Sequence, residues 1–135
     1  MELESRLEIL ADKVTEHHEV LSTEEAAKTA LILPFLQALG YDVFNPQEVI
    51  PEFTCDVGTK KGEKVDYAIR VDGQISLLIE CKPSSQTLSL KHANQLYRYF
   101  GVTDAKFAIL TNGAEYKFYS DLDATNRMDE KPFFE

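Results

Sequence analysis

The 135-residue chain has no tryptophan and only two cysteines, Cys55 and Cys81. Two thiols without a C-x-x-C spacing make neither a disulfide framework nor a zinc or redox motif, so Cys81 is expected in the core. Basic residues are scarce as well, with 14 Lys and Arg against 23 Asp and Glu and a net charge of −9. That balance argues against a surface built for general nucleic-acid binding. No apolar run approaches the roughly 20 residues of a membrane span, so no membrane partner is expected. The opening Met1-Glu2-Leu3-Glu4-Ser5-Arg6 lacks the basic-then-apolar layout of a secretory signal, which points to the cytoplasm. Repeats and low-complexity segments are absent. What is present, 44% hydrophobic and 27% charged residues, suits one small globular domain.

The charge is unevenly spread. Residues 1–57 hold three Lys or Arg against twelve Asp or Glu, whereas residues 58–106 hold eight against five. Leu3, Leu7, Leu10, Val14, His17 and Leu21 follow a heptad spacing, predicting an amphipathic helix over residues 1–21. Such a stripe serves either a helix packed on its own domain or the seam of a homodimer. Ser22 and Glu25 read as a capping box for a second helix, with Ala27, Ala30, Leu31, Phe35 and Ala38 on one face and Gly40 at its end. Pro34 inside that pattern predicts a kink. Glu24 lies three residues before Ala27 on the inward face, where an acid is hard to solvate.

From Val49 the signal turns to strands. A first strand holds Val49, Ile50 and Phe53, and Gly58-Thr59-Lys60-Lys61-Gly62 makes a polar loop. Val65 to Val71 and Ile75 to Lys82 alternate in hydrophobicity around Asp72-Gly73, a hairpin signal. A helix is expected from about Ser89 to Gly101, with Leu90, Ala93, Leu96, Tyr97 and Phe100 buried. Lys106 to Leu110 and Tyr116 to Tyr119 are strands joined at Asn112-Gly113. An irregular tail is expected over residues 124–135.

Side chains two apart on a strand share a face, so Glu80 and Lys82 point together, away from Ile79 and Cys81. Asp66 likewise leaves the apolar set of its own strand. If the odd-numbered apolar residues of both strands share one face, Asp66 falls directly opposite Glu80 or one diagonal step away. A plain two-residue turn breaks that match, so a three-residue or bulged loop is expected. Two carboxylates side by side are unfavourable unless a cation sits between them, and hard oxygen donors suit Mg²⁺. The bland alternative is a surface ion-pair cluster worth little energetically. Lys91, Gln95 and Tyr99 fall on one stripe of the following helix, away from its expected buried side, and their chemistry suits contacts to DNA.

Val65-Asp66, Ile79-Glu80-Cys81-Lys82 and Gln95-x-x-x-Tyr99, in this order, resemble the PD-(D/E)xK nucleases. The wider run from Ser22 to Asp123 is similar to the N-terminal nuclease region of type I restriction enzyme R subunits and to short stand-alone proteins related to it. Thr23-Glu24-Glu25-Ala26, Leu33 to Tyr41, Gly62 to Tyr67 and Leu110-Thr111-Asn112-Gly113 carry that likeness. It implies an α/β, restriction-endonuclease-like α-β-β-β-α-β core with a mixed sheet flanked by helices, occupying residues 22–123. It also implies DNA cleavage with Mg²⁺, Mn²⁺ being the alternative ion. Asp66 and Glu80 would be metal ligands, Lys82 catalytic and Glu24 an accessory acid, with Lys91, Gln95 and Tyr99 placing the substrate. Val65 replaces the usual proline before the acid. The chain has no G-x-x-x-x-G-K-[ST] phosphate loop, so motor or specificity functions would fall to separate proteins or to a longer chain of which this is a fragment. The second function class is a non-catalytic nucleic-acid-binding or regulatory module that keeps the nuclease fold.

Overall fold

The computed structural model describes residues 2–55 and 62–135. The polar loop expected at 58–62 lies, Gly62 apart, outside them. Helix α1 (Leu3–His17) is followed by a 3₁₀ turn at His18–Val20. A second helical segment runs from α2 (Glu24–Ala27) through a π-helical turn (Lys28–Ile32) into α3 (Leu33–Ala38). The strands are β1 (Val49–Thr54), β2 (Lys64–Val71), β3 (Gln74–Cys81), β4 (Phe107–Thr111) and β5 (Tyr116–Ser120), with α4 (Leu90–Gly101) between β3 and β4.

Local chemistry explains the helix ends. The cap of α2 is Thr23, not Ser22: its hydroxyl accepts the Ala26 N–H at 3.1 Å. The third helical residue is then Ala26, which has no side chain to reach back, so the expected capping box does not form. Glu25 pairs with Lys28 instead, at 3.4 Å. The irregularity expected at Pro34 is the π-helical turn just before it. Proline offers no N–H to the Ala30 carbonyl and its ring crowds that group. The carbonyl accepts from Lys13 Nζ at 3.0 Å, which ties α1 to this helix. Leu10 packs on the core beneath, while Leu3, Leu7 and Ile9 remain exposed, so α1 is seated on its own domain. At the far end Gly40, with φ +101°, closes α3 as a Schellman cap: Gly40 N–H donates to Gln37 O and Tyr41 N–H to Leu36 O.

The five strands lie in sequence order, antiparallel except for β3 and β4, which run parallel through the α4 crossover. Tyr67 faces Ile79 and Ile69 faces Leu77, the register expected from the alternation. It is reached differently from expectation. The turn is a two-residue one at Asp72 (φ 53°) and Gly73 (φ 81°), and a bulge between Ile69 and Arg70 restores the match.

Both sheet faces are covered, which corrects the expectation of a single apolar face. Tyr67, Ile69, Leu77, Ile79, Cys81 and Ile109 meet Ile32, Phe35 and Leu36 on one side. On the other, Ala68, Leu78, Ala108, Leu110 and Tyr119 meet Ala93, Leu96 and Phe100 of α4. A parallel pair with its crossover helix needs this, because the crossover lies on one face and the earlier helices take the other. The tail after β5 has no helix or strand, yet Met128 is buried and Phe133 and Phe134 exchange main-chain bonds with Phe118. That segment shields the edge of β5. Among the described residues no helix is long and apolar enough to cross a membrane.

Candidate active site

Strands β2 and β3 part just beyond the Tyr67–Ile79 pair, and side chains take over the ladder there. The Asp66 N–H donates to Glu80 Oε1 at 3.2 Å, and the Cys81 N–H donates to Asp66 Oδ2 at 2.7 Å. The two carboxyl groups therefore sit together where the sheet opens. Glu80 is only 3% exposed. Burial, a side-chain hydrogen bond with Asp66 and the charge of Asp66 all raise its pKa well above the usual carboxylate range. Lys82 Nζ lies 4.0 Å from Glu80 Oε2. Its main-chain N–H donates to Thr111 O at 2.9 Å, so β4 fixes the backbone from which the lysine projects. The next loop is held too, since Asn112 Nδ2 donates to Gln86 O at 2.8 Å.

A residue that sequence reasoning missed completes the cluster. Lys28 Nζ lies 2.7 Å from Asp66 Oδ1, 3.4 Å from Glu25 and 3.9 Å from Glu24, and 5.8 Å from the centre of the Tyr67 ring. Burial opposes its charge, but the hydrogen bond and charge of Asp66 prevail and its pKa is raised. Glu24, half-buried at the head of α2, has its pKa raised by burial and then by Asp66, against the pull of Lys28 and Lys82. Its position one helical turn after Glu24 puts the two on one helix stripe, but that spacing does not mark the contact with Asp66.

Helix α4 is turned relative to expectation. Ala93, Leu96, Tyr99 and Phe100 are buried, whereas Leu90 and Tyr97 are exposed. Tyr99 therefore does not share a surface stripe with Lys91 and Gln95. A tyrosine can enter the core when its hydroxyl finds partners, and here it donates to Glu63 Oε2 at 3.0 Å and accepts from Gln95 Nε2 at 2.9 Å. Gln95 is thereby anchored beside a cleft lined by Lys82, Leu90, Lys91, His92, Asn94, Gln95 and Arg98. The N-terminus of α4 opens on this cleft. Ser89 and His92 form its capping box, in which His92 Nδ1 accepts the Ser89 N–H at 3.3 Å. Burial, then Lys82 and Lys91, lower the His92 pKa.

Among the described residues no three His, Cys, Asp or Glu side chains close around a common point as a metal cage would. The Asp66–Glu80 pair is a different kind of seat. Two adjoining carboxyls, whose mutual repulsion and burial disfavour a second charge until a cation sits between them, offer hard oxygen donors to an ion that keeps much of its water. That donor set fits Mg²⁺.

An α-β-β-β-α-β order with Asp66, Glu80 and Lys82 at the parting of β2 and β3 defines a restriction-endonuclease-like, PD-(D/E)xK domain. The sequence model of the type I restriction enzyme R protein N terminus matches residues 48–127, and the chain belongs to that family. The match takes in all five strands and α4, while Glu24 and Lys28 lie before it. Among solved structures, the type IIG restriction endonuclease BpuSI is similar at 16% identity and a TM-score of 0.47. The alignment covers 90% of this chain and 14% of that enzyme, so the chain spans a small part of its length. Comparison with curated proteins gave no match.

Proposed function

We propose that the chain is a Mg²⁺-dependent DNA endonuclease domain working in restriction, defence or a mobile element. The observation that carries this reading is the adjoining Asp66–Glu80 carboxyl pair beside Lys82, a lysine that also lines a cleft with Lys91, His92 and Arg98 on its wall. Asp66 and Glu80 would hold the cation, Mn²⁺ being able to replace Mg²⁺. When bound, such an ion makes water a better nucleophile and neutralises charge on a scissile phosphate.

The chain's own groups do the rest. Lys82, fixed by its backbone bond to β4, directs its ammonium to the same side as Glu80, where it can hold a phosphate oxygen and stabilise the charge developing there. Lys91 and Arg98 supply positive charge to the DNA backbone in an otherwise acidic protein. Gln95, held by the Tyr99 hydroxyl, presents a fixed amide to the substrate. Tyr99 acts through Gln95 and does not touch DNA. Glu24 is accessory, holding Lys28 and adding negative potential beside Asp66. Translocation along DNA and recognition of a particular sequence lie outside this reading, because these 135 residues carry no phosphate loop.

Incubating the chain with supercoiled plasmid in Mg²⁺ and in EDTA tests the proposal. Nicked or linear product in Mg²⁺ alone is expected. DNA that is bound but intact under both conditions would favour the non-catalytic binding module.

A further inference from the structure

Lys28 stands out among the groups that the proposed reaction does not use. Its ammonium makes the shortest ion pair among the described residues, 2.7 Å to Asp66 Oδ1, while the other Asp66 oxygen is held by the Cys81 N–H. Each oxygen of that carboxylate thus already has a strong donor. The lysine side chain is only 12% exposed. It begins the π-helical turn, and this helical layer packs on the sheet face opposite α4. A buried ammonium is costly without a partner, and Asp66 supplies it.

We propose that Lys28 is a resident counter-cation of Asp66 that competes with the divalent metal for the site and yields to it by moving toward Glu24 and Glu25. The inference rests on the metal-binding reading of Asp66 and Glu80. A divalent ion on Asp66 places two positive charges within a few ångström of the ammonium, a repulsion worth far more than thermal energy at that range. The two glutamates offer the lysine a second seat, since they already lie 3.9 and 3.4 Å from it. In the metal-free domain Lys28 keeps Asp66 paired, and on loading it stays in the cluster as a neighbour of the ion. Lys28 is on this account a positioning residue that sets metal affinity, and Lys82 remains the group that meets the substrate.

Calorimetric titration of the whole chain with Mn²⁺ and with Mg²⁺, without DNA, tests this on wild type, Lys28→Met, Lys28→Gln and Lys28→Arg, with circular dichroism as folding control. Lys28→Met should bind the ion roughly tenfold or more tightly than wild type, as expected for removing one nearby positive charge. Lys28→Arg should stay near wild type because it keeps the charge. If methionine costs the fold, Lys28→Gln retains a donor for Asp66 without a charge and should show the same tightening. Unchanged or weaker binding in a folded neutral variant would overturn the competition while leaving the nuclease reading intact. Absence of binding across the whole set would instead remove the metal reading itself.

Discussion

Replacing Glu80 with glutamine should stabilise the metal-free domain, and by an amount that depends on pH. The Glu80 carboxyl, 3% exposed, is raised above its reference pKa of 4.5 by burial, by its hydrogen bond with Asp66 and by the charge of Asp66. The folded protein therefore binds more protons than the unfolded chain between pH 4.5 and the raised value. Stability falls as pH rises through that window, by up to about 1.4 kcal/mol per pH unit. At pH 7 the accumulated cost reaches about 3 kcal/mol. Glutamine does not titrate, and its amide oxygen can still accept the Asp66 N–H. It loses the attraction of Lys82 at 4.0 Å, which trims the gain. Glu80→Gln should thus be more stable at pH 7 by about 1–3 kcal/mol, roughly 3–10 °C in melting temperature for a chain of this size. Thermal melts in EDTA from pH 5 to 8 read it directly. The gap should be smallest near pH 5 and widen toward neutrality. A gap that does not change with pH, or a less stable variant at pH 7, would refute the assignment of a strained carboxyl pair.

Gly113→Ala should cost about 2 kcal/mol or more, because φ is +89° and the added methyl would lie 2.5 Å from Leu31 Cδ1; an unchanged urea midpoint would contradict this. Tyr99→Phe strips Gln95 and Glu63 of a shared partner. It should cost about 1–2 kcal/mol and slow DNA cleavage while leaving metal affinity unchanged, so equal cleavage would remove Gln95 from the substrate site. The His92 cap needs a neutral Nδ1, and the pKa of that histidine is lowered in the fold. Its contribution is present above the unfolded pKa and is lost as pH falls through the lowered value. His92→Gln should therefore lose less stability between pH 7.5 and 5 than wild type does, as melts at the two pH values would show.

Much of the site was legible because side chains alternate through the middle of β2 and β3. Tyr67, Ile69, Leu77 and Ile79 demand one register, and that register carries Asp66 to Glu80. Val65 and Ile75 join the core on the other face, against the expectation that all odd-numbered apolar residues share one. The device that achieves the register, a bulge after Ile69, leaves no mark in the pattern. The cover on both sheet faces was written in the nearly unbroken run Leu77-Leu78-Ile79, a sign of a strand with no wet side. Tyr99 was misplaced because helical spacing alone cannot tell which edge of an apolar arc goes inward. Tyr97 and Tyr99 flank the same arc, and a distant acid, Glu63, decides between them. Lys28 was passed over since a lysine one turn after a glutamate is ordinarily a solvated pair. What brings it inward is contact across the fold with Asp66, which local spacing does not encode.

Cleavage of labelled DNA by Lys82→Ala, read beside its Mg²⁺ binding by calorimetry, tests the central claim most directly. Lys82 contributes no carboxylate to the ion, so binding should persist or tighten while cleavage falls by about 10²-fold or more. Cleavage at the wild-type rate by a folded Lys82→Ala would contradict the account and leave Asp66, Glu80 and Lys82 as an ion-pair cluster on a nuclease-like fold.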